Sequence, residues 1–103
     1  MKYEVKSESG KIVLYLSDQL IHSDRSTFDR VVGETLSGRP GQVEVNFGGL
    51  TYMDSAGLGF LLTLREQAKK TGSAVVLADP KGTVREMLDL ARFDTLFSIR
   101  QTV

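Results

Sequence analysis

The chain has 103 residues, enough for one hydrophobic core and too few for two, so a single domain over residues 1–103 is expected. Its 13 basic and 13 acidic residues cancel, which removes the field that would draw the protein to nucleic acid or an anionic membrane. Without cysteine there can be no disulfide, thiol catalysis or cysteine metal site. No stretch approaches the roughly 18 apolar residues of a membrane span, and no apolar leader follows Met1, so a soluble, cytoplasmic protein is expected.

Tyr3 to Lys6 and Lys11 to Leu16 alternate apolar and polar residues around Ser7-Glu8-Ser9-Gly10, which predicts a β-hairpin. In the second strand Ile12, Leu14 and Leu16 share one face and Val13 and Tyr15 the other, so both faces are expected to be partly covered. Ser23 or Asp24 can cap a helix carrying Phe28, Val31, Val32 and Leu36, which Gly38 to Gly41 ends. Val43 to Phe47 alternates again, with β-branched valines, and reads as a short strand followed by a loop, Gly48-Gly49-Leu50-Thr51-Tyr52-Met53.

From Leu58 the pattern turns helical: Leu58, Leu61, Leu62, Leu64 and Ala68 form an apolar face, with Phe60 at its margin and Gly72 as terminator. Ala74 to Ala78 is a continuous apolar run, expected to be a buried parallel strand. Asp79-Pro80 breaks it. Lys81 to Arg92 predicts a third helix with Val84, Met87, Leu88 and Ala91, and Leu96 to Arg100 a last short strand. A hairpin followed by alternating helices and strands predicts an α/β fold with a mainly parallel central sheet and helices packed on it.

The chemistry concentrates at Met53-Asp54-Ser55-Ala56-Gly57-Leu58-Gly59, a strand-to-helix turn. A helix starting there leaves N–H groups that either Asp54 or Ser55 can accept from, so one residue caps and the other is free. Ser55 would lie at the positive end of the helix dipole, where a negative group is tolerated. Gly57 and Gly59 each cost about 1 kcal/mol of helix propensity relative to alanine, which asks for a reason such as close approach of another backbone. A nucleophile elbow needs glycine two residues before its serine, and Met53 stands there. The one histidine, His22, argues against a histidine metal cluster and limits any catalytic triad to His22 reaching Ser55. Gly48-Gly49 lacks the lysine of a phosphate-binding loop. Arg25, Lys69, Lys70 and Arg85 read as solvated faces.

With the strand Val43 to Phe47 and Leu50-Thr51-Tyr52 before it, this heptapeptide resembles the signature of the STAS domain family, specifically the bacterial anti-sigma factor antagonists. The similarity runs from Tyr3 to Ile99. The resemblance implies the α/β architecture above and a protein-binding role with no catalysis and no cofactor. In that family the serine after the aspartate is phosphorylated by a partner kinase that is itself the anti-sigma factor; carried over, it is Ser55.

The resemblance thus implies a partner surface of Asp54, Ser55, Ala56, Gly57, Leu58, Gly59 and Asp24, an anti-sigma factor serine kinase of the histidine-kinase-like ATPase type, a resetting serine phosphatase, and a monomer or weak dimer. Two positions depart from the family. In the loop Leu16 to His22, Asp18 stands where a glycine is usual and Ile21 where an aspartate is usual, with Asp24 one turn later as the residue that compensates. Members commonly continue into a further helix, and its lack here implies an open apolar surface. Other branches imply rival readings, a STAS subunit of a lipid-transport ATP-binding-cassette complex or a scaffold subunit of a stress-sensing complex.

Overall fold

A computed structural model describes residues 1–102; Val103, the last residue of the expected domain, lies outside them. The hairpin forms as β1 (Lys2–Glu8) and β2 (Lys11–Leu20), both longer than the apolar alternation indicated. Ser9 and Gly10 alone make the turn, with φ of 31° and 81°, the left-handed pair that matches the twist of a two-residue hairpin. A short 3-10 turn (His22–Asp24) leads into α1 (Arg25–Ser37), then β3 (Gln42–Met53), α2 (Ser55–Thr71), β4 (Ala74–Ala78), α3 (Gly82–Leu90), a second 3-10 turn (Phe93–Thr95) and β5 (Ser98–Arg100).

The five strands lie side by side in chain order, β1 antiparallel to β2 and every later pair parallel. Sequential order with right-handed crossovers puts all the connecting helices on one face of the sheet. Leu14, Val45 and Leu77 share that face and are fully buried in one cluster with Phe28, Leu61 and Leu88 from the three helices. Val13 and Ala78 are buried on the other face and do not join that cluster. Along Ala74 to Ala78 the helix-free face is covered unevenly, from exposed Ala74 through half-buried Val76 to buried Ala78. The unbroken apolar run is therefore fully buried on both sides only at its C-terminal end, Leu77 and Ala78.

The expected loop after Phe47 is strand. β3 continues to Met53 with Leu50 and Met53 buried, and its pairing with β2 shifts register between Tyr15 and Ser17 and between Asp18 and Gln19. Gly49, one of the two glycines read as loop residues, lets the two backbones close at that irregularity. A Cβ on Gly49 would stand 2.9 Å from Ser17 Cβ and 3.3 Å from the Leu16 carbonyl oxygen. Asp18, at the position where the family resemblance expects glycine, has φ of 72°, a left-handed conformation that aspartate tolerates better than most side chains.

The buried stripe of α2 is Gly57, Phe60, Leu61, Leu64 and Ala68, a spacing of three and four residues. It is rotated from the expected face toward Phe60 and away from Leu62, which is 38% exposed. Phe60 stacks on Phe28 of α1 with centroids 5.4 Å apart, an aromatic contact worth about 0.5–1.5 kcal/mol beyond its area burial. The third helix ends at Leu90, and Ala91, expected on its apolar face, is exposed. On the helix-free face Glu44 is nearly buried between two cations, Lys11 Nζ at 3.1 Å and Arg100 Nη2 at 2.8 Å. No helix of the described residues is long and apolar enough to cross a membrane.

Candidate functional site

β3 delivers its end, Met53, into the core, and the next residue turns the chain into α2. Asp54 has extended geometry (φ −95°, ψ −179°) and is the N-cap, which resolves the choice between Asp54 and Ser55. Its Oδ1 accepts from the N–H groups of Ala56 at 2.9 Å and Gly57 at 3.3 Å. Its Oδ2 accepts from the His22 N–H at 3.1 Å and lies 3.6 Å from His22 Nδ1. The Asp54 N–H in turn donates to the Leu20 carbonyl at 3.2 Å. One aspartate thus ties the end of β2 and the first 3-10 turn to the start of α2.

Partial burial pushes the Asp54 carboxyl up, but the N–H groups of His22, Gly57 and Ala56 outweigh it and hold the group below its ordinary value. The residue is therefore a fixed negative charge at neutral pH, beside the positive end of the helix dipole.

Ser55 is the first residue of α2 and exposed, and its hydroxyl makes no hydrogen bond among the described residues. The cap is complete without it, so modification of that oxygen removes no contact that holds the helix start. No hydrogen bond joins it to His22, whose Nδ1 faces Asp54 instead, so the pairing of nucleophile and base that a triad requires is not formed among the described residues.

The other residues of the motif divide between core and surface. Ala56 and Leu58 are half-buried, and Gly57 is buried. A Cβ on Gly57 would stand 2.4 Å from Met53 Cγ and 2.8 Å from its Sδ, so this glycine has the packing reason its helix cost demanded. Gly59 is exposed, with nothing among the described residues within 4 Å of an added Cβ, so packing does not explain it.

Asp24 sits beside the site on the 3-10 turn, but its carboxylate is already engaged. It accepts from the Met1 ammonium at 2.8 Å and the Ile21 N–H at 2.9 Å, with a side chain only 14% exposed. Burial raises this carboxyl and the ammonium and Ile21 N–H lower it, with a net lowering. Ile21 therefore draws its polar partner from Asp24.

Thr51 and Tyr52, named in the sequence only as leading into the motif, also lie next to the turn. Tyr52 is 50% exposed immediately before the turn, and Thr51 donates its hydroxyl to the Asp18 carbonyl at 2.8 Å. The signal was present in the pair Thr51-Tyr52 lying between buried Leu50 and Met53, but it was hidden while this segment read as loop.

The family model described as the STAS domain matches residues 2–103. The chain belongs to the STAS domain family. A STAS-domain containing protein of Pseudomonas aeruginosa is 34% identical over 79 residues, covering 76% of this chain and 73% of that protein. Among solved structures, a Thermotoga maritima protein described as a candidate anti-sigma factor antagonist superposes with a TM-score of 0.88 at 19% identity, over 98% of this chain and 87% of that one. The Bacillus cell fate determinant SpoIIAA in its phosphorylated form gives 0.77 at 16% identity, over 99% and 92%. A sulfate transporter family protein from Wolinella succinogenes gives 0.75 at 13% identity, over 88% and 76%. At these identities the likeness is one of fold, and STAS domains of different employment share it.

Proposed function

We propose that this STAS domain is an anti-sigma factor antagonist that works as a phosphorylation-controlled partner switch. In its unmodified form the surface around Ser55, with Asp54, Ala56, Leu58 and Gly59, binds a serine kinase that is itself the anti-sigma factor, and the sigma factor is released. Phosphorylation of Ser55 ends the binding, and a serine phosphatase restores it. Gly57, being buried, contributes by holding the turn against Met53, and Asp24 by fixing the neighbouring 3-10 turn. The chain itself acts by binding and has no catalytic role in this scheme.

The observation that carries this reading is an exposed serine at the first position of a helix whose cap is satisfied by its neighbour. A phosphate there brings about 1.5 to 2 negative charges next to ionised Asp54. The helix dipole offsets part of that charge inside the domain, so the fold persists. A partner surface packed on the turn meets the added charge as repulsion and uncompensated desolvation. SpoIIAA has been solved in a phosphorylated form on the same fold, which is consistent with this architecture tolerating the modification.

The test is affinity capture from the native host with the wild type, Ser55→Ala and Ser55→Asp. Wild type and Ser55→Ala should retain a kinase of the ATPase class named above, and Ser55→Asp should lose it. Equal retention by Ser55→Asp would contradict the switch. Stable retention of a membrane transporter by all three would assign the chain to a constitutive transport subunit instead.

A further inference from the structure

β1 is an outer strand of the sheet, and no strand among the described residues pairs with its far side. Its backbone register decides which groups face that side. The two-residue turn at Ser9-Gly10 makes Glu8 and Lys11 the closing pair, and the ladder alternates from there. Glu8, Lys6, Glu4 and Lys2 therefore spend their N–H and C=O groups on β2, while Ser7, Val5 and Tyr3 point theirs outward. Any strand that adds to this edge must pair with those three residues.

The side chains narrow the choice of strand. Lys2, Glu4, Lys6 and Glu8 alternate in sign along one face, and none has a salt-bridge partner among the described residues. Lys6 instead lies over the Tyr15 ring at 5.3 Å. Val5, at the middle of the strand, is 47% exposed.

We infer that β1 pairs antiparallel with β1 of a second copy of this chain, about a two-fold axis at Val5, and joins the two sheets edge to edge. In that register Lys2 faces Glu8 of the second copy and Glu4 faces its Lys6, so every charge on the strand meets its opposite. Val5 meets Val5, and Tyr3 meets Ser7, as hydrogen-bonded pairs made from the outward-pointing groups. Sliding the register by two residues either way sets Glu4 against Glu4 or Lys6 against Lys6. A parallel in-register pairing sets every charge against its like. Like charges directly opposite are unfavourable and opposite ones favourable, so the pattern selects one arrangement. Charged residues on an edge strand also serve to keep it unpaired. A strand charged for that purpose alone has no need of an order that reads as its own complement.

The experiment is sedimentation equilibrium of the full chain. The wild type should shift from its 11.4 kDa monomer toward twice that mass between about 10 µM and about 1 mM. Dimer should decrease as salt rises from about 0.05 to 0.5 M, where the Debye length shortens below the pair separations across the surface. Glu4→Lys turns both symmetry-related Glu4–Lys6 pairs repulsive and should weaken the dimer by roughly tenfold or more. Adding Lys6→Glu to it reverses each pair and should restore dimerisation to within about threefold of wild type. Val5→Pro removes an N–H that points away from β2, so it should abolish the dimer and keep the circular dichroism of the folded monomer. A monomer at all these concentrations, or a dimer indifferent to Glu4→Lys, would overturn the inference.

Discussion

Gly57 and Gly59 occupy the same helix two residues apart, and the structure assigns them opposite responses to one added methyl group. Replacing either by alanine recovers about 1 kcal/mol of helix propensity. At Gly59 that gain stands alone, because nothing among the described residues lies within 4 Å of the new Cβ, so Gly59→Ala should stabilise the fold by about 0.5–1 kcal/mol. At Gly57 the Cβ would overlap Met53, whose Cγ is 2.4 Å away, and approach the Leu20 carbonyl oxygen to 3.3 Å. Met53 is 1% exposed in the core cluster, so it can give way only by displacing other buried side chains, and Leu20 is held in β2. Overpacking of this kind costs about 1–3 kcal/mol, so Gly57→Ala should come out neutral to destabilising. Propensity cancels between the two variants, and their difference isolates the packing cost, again about 1–3 kcal/mol. Urea unfolding of both proteins measures it, and a domain of this size should show a melting-temperature gap of about 4–8 °C per kcal/mol. Equal stabilities for the two variants would refute the account of Gly57. With Gly59→Ala more stable than wild type, any loss of partner binding by that variant is attributable to the surface.

Three further outcomes follow from the same structure. The carboxyls of Asp54, Asp24 and Asp79 are all held below their ordinary value of 3.8, the last chiefly by the N–H and hydroxyl of Thr102. The unfolded chain therefore binds these protons at higher pH than the folded one, so stability is intact above about pH 4–5 and falls as the pH drops through 3.8 toward the folded values. Carboxyl-carbon NMR titration should show the three depressed midpoints, and Asp54→Asn should flatten the acid limb of the urea midpoint against pH. Phe60→Ala should cost about 3–5 kcal/mol by chemical denaturation, since it empties a buried site and leaves Phe28 without its stacking partner. Glu44→Gln should cost only about 1 kcal/mol despite the burial of Glu44, because the side chains of Lys11 and Arg100 are 33% and 50% exposed and can turn to water, short of the about 3–5 kcal/mol of a fully buried broken pair.

The hairpin, the three helices and the parallel strands were legible because each carries an apolar period that its burial requires. The C-terminal half of β3 was not, because two glycines and the exposed pair Thr51-Tyr52 interrupt the alternation just where the β2–β3 ladder shifts register. Phe60 and Leu62 exchanged places for a similar reason. Both are large and apolar, and only the direction of α1, set by the sheet, decides which of them is covered. At the site, Asp54 and Ser55 were equally good caps on paper, and the choice fell to Asp54 because a second carboxylate oxygen can reach the His22 N–H on another element. That bond spans 32 residues, and no local pattern encodes it. Asp18, read as part of a loop from Leu16 to His22, lies instead in β2 and carries the left-handed backbone itself where a glycine was expected.

The measurement that tests the central claim most directly is the intact mass of the protein purified from its native host under several growth conditions, with peptide mapping across Ser55. A fraction carrying one phosphate on Ser55, changing with condition, is the expected result. Unmodified Ser55 under every condition, together with a Ser55→Ala strain that behaves as wild type, would contradict the switch and leave the domain as a constitutive binding subunit.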